Sequence, residues 1–164
     1  MDAPSAPFFD TSYKPAFLYS WDRAVGGQDR DWFRLDLQGG AQHESNGKGG
    51  VDSRSYNMAF FRPTIVLGRD DSFQLTLQPR AWGYLGDLSD NPDLDEYRGY
   101  FDLRAVIGWR RGLQLSALGR MGHEGNNSSA QFDLTYPTMK ILGSFSVYLH
   151  AQYFTGYGES LLRY

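Results

Sequence analysis

From Phe101 to Trp109 the chain alternates: Phe101, Leu103, Ala105, Ile107 and Trp109 share one parity, and Asp102, Arg104, Gly108 and Arg110 share the other. Successive side chains of a strand point to opposite faces, so this is the pattern of a strand with one apolar face. It recurs in Phe73, Leu75 and Leu77 against Gln74, Thr76 and Gln78, and in Leu113, Leu115 and Ala117 against Gln114 and Ser116. A further case is Phe145, Val147, Leu149 and Ala151 against Ser144, Ser146, His150 and Gln152. Turn-forming clusters part the runs, at Gly68-Arg69-Asp70-Asp71, Ser89-Asp90-Asn91-Pro92-Asp93, Arg111-Gly112, Gly125-Asn126-Asn127 and Pro137-Thr138. No stretch carries a convincing helical period, and about eight strands of roughly 9 to 12 residues are predicted.

Strands of that length suit a tilted crossing of a bilayer, which takes about 9–11 residues, and an apolar outside with a polar lumen is the mark of a membrane barrel. The fold expected is all-β: an antiparallel transmembrane β-barrel, as an incomplete barrel or strongly curved sheet of about eight strands. Periodicity alone fits a soluble β-sandwich or lipocalin-like barrel equally well, with the apolar parity turned to a core instead of lipid.

Composition narrows this. The 11 Tyr, 11 Phe and 4 Trp, with 19 Gly spread along the chain, suit many strands and tight turns. No apolar run approaches the length of about 18 residues that a membrane helix needs, which excludes a helical membrane protein. With no cysteine, disulfides, thiolate metal sites and a cysteine nucleophile are excluded. A net charge of −3 with scattered Lys and Arg leaves no footprint for nucleic acid. The N-terminal MDAPSAPFFDTSYKPAF has neither the basic nor the apolar region of a secretory signal peptide, which was either removed or never included.

The stretch from Gln42 to Asn57 reads as strand, Gly-rich loop, strand. His43 and Ser45 lie two apart, so both project from one face and the imidazole can serve the hydroxyl as general base. Asn57 on the returning strand can orient the ring, its amide oxygen accepting the hydrogen bond that fixes the tautomer. Phe33, Leu35, Leu37, Gly39 and Ala41 share the face of His43 and Ser45, while Ala59, Phe61, Pro63 and Ile65 share that of Asn57. All three polar groups thus lie on apolar faces, which in a membrane barrel look out to lipid. The same residues also read as polar punctuation around a hairpin signalled by Asn46-Gly47.

His43-Glu44-Ser45-Asn46-Gly47 followed by Asp52-Ser53-Arg54-Ser55-Tyr56-Asn57 closely resembles the signature of the outer membrane phospholipase A family. The resemblance extends through Ser5-Ala6-Pro7-Phe8 and Tyr13-Lys14-Pro15, and downstream through Ser89-Asp90-Asn91-Pro92-Asp93, Tyr97-Arg98-Gly99-Tyr100, Tyr136-Pro137 and Gly156-Tyr157-Gly158-Glu159-Ser160-Leu161. It implies a twelve-stranded outer-membrane barrel that hydrolyses phospholipid acyl esters, with Ser45 as nucleophile, His43 as base and Asn57 as orienting group. It further implies a calcium ion that shares the oxyanion hole with the Gly47 N–H. Its ligands would be the Ser53 hydroxyl, the Lys48 carbonyl and, across an active homodimer, Ser5 of the second subunit.

Two departures accompany the resemblance. The family's secondary calcium site takes two carboxylates, of which Asp90 matches while the other position is Gly50, with Asp52 as a nearby substitute. The chain also begins where several strands should have passed and stops short of a final one, so we read residues 1–164 as a single barrel domain truncated at both ends. Such a sheet leaves two edges whose unpaired backbone groups are costly in hydrocarbon.

The remaining candidates have plainer readings. His123 and His150 are expected in separate strands as lumen or rim residues. The acidic cluster Asp87, Asp90, Asp93, Asp95 and Glu96 lacks the Gly and closing Glu of an EF-hand and reads as a solvated turn. The functions competing with a hydrolase are a passive outer-membrane barrel or channel and a soluble lipid-binding barrel.

Overall fold

A computed structural model of the chain describes residues 11–26, 32–125, 127–138 and 147–161. Its eight strands form one antiparallel sheet in sequence order: β1 (Ala16–Gly26), β2 (Phe33–Ser45), β3 (Ser55–Leu67), β4 (Phe73–Leu85), β5 (Phe101–Trp109), β6 (Gln114–Met121), β7 (Ser128–Pro137) and β8 (Tyr148–Gly156). Their lengths run from 8 to 13 residues, slightly wider than the alternation suggests. Among the described residues β1 pairs only with β2 and β8 only with β7, so the sheet is curved and not closed.

The two parities separate as the pattern requires. Leu103, Ile107, Trp109, Leu115, Phe132, Leu134, Leu149 and Tyr153 are exposed on the outer face, joined by Phe61 and by Phe17, Tyr19 and Trp21 of β1. The inner face carries a polar ladder. Arg62 bonds Gln38, Arg80 meets Asp102 at 2.5 Å, and Asp133 accepts from Ser116, Gln131 and Gln152 and lies 3.2 Å from the His150 ring. A soluble core would reverse this arrangement, and an outward apolar band around a polar interior is that of a membrane barrel. His150 is thus a lumen residue, but with a carboxylate partner that its own strand does not reveal. His123 falls in the turn after β6, not in a strand, and stacks edge-on against Tyr100.

An apolar cluster gathers on the inner face of β3 and β4. Tyr56, Met58, Phe60 and Trp82 of β3 and β4 pack with Leu161 and with Leu94, which is 0% exposed. Leu94 opens a five-residue helix, α1 (Leu94–Arg98), within the acidic stretch that the sequence marks as a solvated turn. One helical turn is too short to show a period. It forms because Leu94 is buried and because Gly99, at φ +57°, closes it by donating to the Asp95 carbonyl. Leu94→Ala should destabilise the folded protein by about 2–5 kcal/mol, read from denaturant unfolding in detergent followed by tryptophan fluorescence.

Candidate active site

The hairpin of β2 and β3 is paired in unbroken register from Phe33–Leu67 to Ser45–Ser55, which sets His43 directly opposite Asn57. The His43 Nδ1 lies 2.9 Å from the Asn57 Oδ1. An amide oxygen can only accept, so Nδ1 carries the proton and Nε2 keeps a lone pair. Ser45 follows on the same face, its backbone held on both sides. It pairs with Ser55 on β3 and exchanges two bonds with Tyr13, of 2.8 and 3.0 Å, while the His43 N–H donates to the Pro15 carbonyl. The Ser45 hydroxyl itself bonds no described residue, His43 included. The Ser45 hydroxyl and the His43 ring therefore lie on one face of β2, with no hydrogen bond between them.

Beyond Ser45 the chain turns through residues 46–54, and Asn46 holds this loop from within. Its side chain, 3% exposed, accepts from the Lys48 and Arg54 N–H groups and donates to the Asp52 carbonyl at 2.8 Å. The sequence marks Asn46 only as a turn former, yet it is the staple of the loop. Gly47 adopts φ +69°, and a Cβ there would meet the Tyr13 ring at 2.7 Å. That conformation and that proximity both call for glycine. The Gly47 N–H has no acceptor among the described residues.

The loop's oxygens suit a hard cation. The carbonyls of Gly50, Val51, Asp52 and Ser53 are engaged by Ser53, Arg54 and Asn46. The Ser53 hydroxyl bonds no described residue, and a Cβ on Gly49 or Gly50 would meet nothing within 4 Å, so this side of the loop is open. Lys48 lies on the same loop. Among the described residues no three His, Cys, Asp or Glu side chains gather; the loop carries hydroxyl and carbonyl oxygens, the hard donors that suit calcium. Ser5 falls outside the described residues. Asp90 accepts from the Ser55 hydroxyl at 2.9 Å, and Asn91 donates to the Ser55 carbonyl at 2.7 Å, so the turn after β4 braces the rung beside Ser45.

Behind the site, on the inner face, lies a cavity of about 340 Å³ whose lining includes Lys14, Glu44, Tyr56, Arg80, Arg98 and Arg120. Glu44, Tyr56 and Arg98 are buried there, and composition and spacing do not signal their connection. Burial works to lower the Arg98 pKa, but the Glu44 carboxylate and Tyr56 hydroxyl outweigh it, raising it above the usual guanidinium value.

The family model for phospholipase A1 matches residues 1–164. The chain is 33% identical over 163 residues to phospholipase A1 of Proteus vulgaris, and 32% identical over 161 residues to that of Escherichia coli. Each alignment covers 98% of this chain and 51% of the relative, so the chain spans about half the length of these curated relatives. The fold is similar to outer membrane phospholipase A from Escherichia coli, with a TM-score of 0.80 at 30% identity over 96% of this chain and 60% of that one. It is also similar to the outer membrane phospholipase of Salmonella typhi, solved as a dimer with bound calcium, with a TM-score of 0.78 at 29% identity over 96% and 57% of the two chains. An outward apolar band, a hairpin that joins a histidine to an asparagine beside a serine, and a match along its whole length agree: the chain belongs to the phospholipase A1 family of outer-membrane β-barrels.

Proposed function

We propose that this protein hydrolyses the acyl esters of phospholipids at the outer membrane, with Ser45 as nucleophile, His43 as general base and Asn57 as the group that orients it. The observation that carries this reading is the 2.9 Å bond between His43 and Asn57 on the lipid-facing side of the sheet, one step along β2 from Ser45. In the first half-reaction the Ser45 Oγ attacks the ester carbonyl carbon and passes its proton to the His43 Nε2. The Gly47 N–H donates to the oxyanion. His43 then returns the proton to the departing lysophospholipid oxygen, leaving an acyl group on Ser45. Water, deprotonated by His43, attacks that acyl group, and the fatty acid leaves as Ser45 recovers its proton.

Calcium held by the Ser53 hydroxyl, the Lys48 carbonyl and Ser5 of a second copy in a homodimer would supply positive charge next to the oxyanion. Asp90 accepts from Ser55 through one oxygen, which leaves its other oxygen available to a second calcium site. We further read all 164 residues as one barrel domain.

The test is incubation of the detergent-solubilised protein with phosphatidylcholine mixed micelles and calcium, with lysophospholipid and fatty acid measured by mass spectrometry. Ion conductance across a planar bilayer without either product would identify a passive channel instead. Within this scheme Gly47→Ala forces a side chain into a left-handed backbone and against Tyr13, a strain of roughly 1–2 kcal/mol. Relief of that strain would turn the Gly47 N–H away from the oxyanion, so kcat should fall by roughly tenfold or more while the protein stays folded.

A further inference from the structure

Between the base and the nucleophile on β2 stands Glu44, pointing to the opposite face and 2% exposed. Its carboxylate is bonded on every side. One oxygen, Oε1, receives the Ser12 hydroxyl at 2.9 Å, the Arg98 guanidinium at 3.0 Å and the Lys14 ammonium at 3.2 Å. The other, Oε2, receives the Tyr56 hydroxyl at 2.6 Å. Arg98 also donates to the Tyr56 hydroxyl at 3.1 Å. Four separate parts of the chain, namely the segment before β1, β2, β3 and α1, therefore meet on one carboxylate.

The register gives this cluster its significance. Glu44 pairs with Tyr56, so the inner rung 44–56 lies between the outer rungs 43–57 and 45–55. Adjacent rungs share peptide planes, so any rotation of rung 44–56 tilts His43 and Ser45 relative to each other. Arg98 pins that rung, while Asp90 and Asn91 from the same β4–β5 connection pin rung 45–55.

We propose that Glu44, anchored by Arg98 and Tyr56, is a positioning residue that fixes the approach of His43 to Ser45 from the far side of the sheet. The proposal rests on the Ser-His-Asn reading above. On the outer face the His43–Asn57 and Ser55–Asp90 bonds hold the two flanking rungs, but none joins His43 to Ser45, whose hydroxyl bonds no described residue. An inner lock of several hydrogen bonds on an immobile carboxylate supplies what a displacement of about 1 Å would otherwise cost, on the order of a hundredfold in rate.

The test uses the protein in the length its gene encodes, in detergent with calcium, and a long-chain fluorophosphonate that Ser45 attacks at phosphorus with loss of fluoride. The stoichiometry of labelling counts folded sites, and its rate reports how well the nucleophile is activated. In Glu44→Gln, which keeps the volume and removes the charge, full stoichiometry is expected with the labelling rate and kcat falling together by about tenfold to a hundredfold, KM unchanged. Tyr56→Phe, which removes only the 2.6 Å bond, should show the same signature to a smaller extent and serves if Glu44→Gln does not fold. A wild-type labelling rate in the folded variant overturns the proposal, as does a loss confined to stoichiometry, which is all that a merely structural role would produce. If the unsubstituted protein neither labels at Ser45 nor releases fatty acid, the functional reading itself fails, and that result precedes any variant.

Discussion

Ser45→Ala should lower phospholipid hydrolysis by at least about 10⁴-fold, and His43→Ala should cost nearly as much, with the double variant little worse than either. The non-additivity follows from the shared step: once the hydroxyl is gone, the base has no proton to accept. The barrel should survive both substitutions. The Ser45 hydroxyl bonds no described residue and its strand is held by backbone pairing to Ser55 and Tyr13, so the heat-modifiable shift on an unboiled gel should match the wild type. Undiminished hydrolysis by Ser45→Ala would remove serine chemistry from this protein.

Placing a histidine and an asparagine on a lipid-facing surface carries a desolvation cost, because a polar group moved from water into hydrocarbon without a partner costs several kcal/mol. The His43–Asn57 bond offsets part of that cost by satisfying one polar group with the other. The site also sits at the end of β2, next to the loop of residues 46–54, where the apolar band gives way to polar chain. Ester groups of phospholipids lie at that same boundary between hydrocarbon and headgroup. Along β2 on the face of His43 lie Ala41, Gly39 and Leu37.

Much of this was legible from alternation alone. β5 has the bounds that the Phe101–Trp109 pattern predicts, and the face shared by His43, Ser45 and Asn57 follows from a side-chain period of two and a hairpin in register. A one-residue slip of β2 against β3 would have put His43 and Ser45 on the face opposite Asn57. The roles of Asn46, Glu44 and Arg98 were hidden for a different reason. Arg98 is 54 positions from Glu44, and nothing in either local sequence announces the other. A one-turn helix such as α1 leaves no period to find, and the bond between Asp90 and Ser55 depends on how the β4–β5 connection folds back over the sheet. Phe145 and Ser5, also singled out by sequence, lie outside the described residues.

Excess EDTA should reduce turnover by about 10²–10³-fold, and added calcium should restore it, the magnitude being that of losing one oxyanion-stabilising interaction. The argument starts from charge. Asn57 is neutral, so it holds the His43 tautomer but does less than a carboxylate to favour the imidazolium that forms during attack. On the proposed oxyanion side the Gly47 N–H has no acceptor among the described residues, and the Arg54 guanidinium is committed to the Val51 and Ser53 carbonyls at 3.0 and 2.8 Å. A second source of positive charge would serve that step, and the Ser53 hydroxyl, which bonds no described residue, is a hard oxygen of the kind that calcium prefers. Ser53→Ala should raise the calcium concentration needed for half-maximal hydrolysis while leaving the rate at saturating calcium much closer to wild type. If Ser5 of a second copy completes the shell, cross-linking should show the dimer fraction rising with calcium and falling with chelator in step with activity. Full activity in excess EDTA from a protein that sediments as a monomer would overturn the calcium and dimer assignments together, and leave the roles of Ser45, His43 and Asn57 to stand on the variants alone.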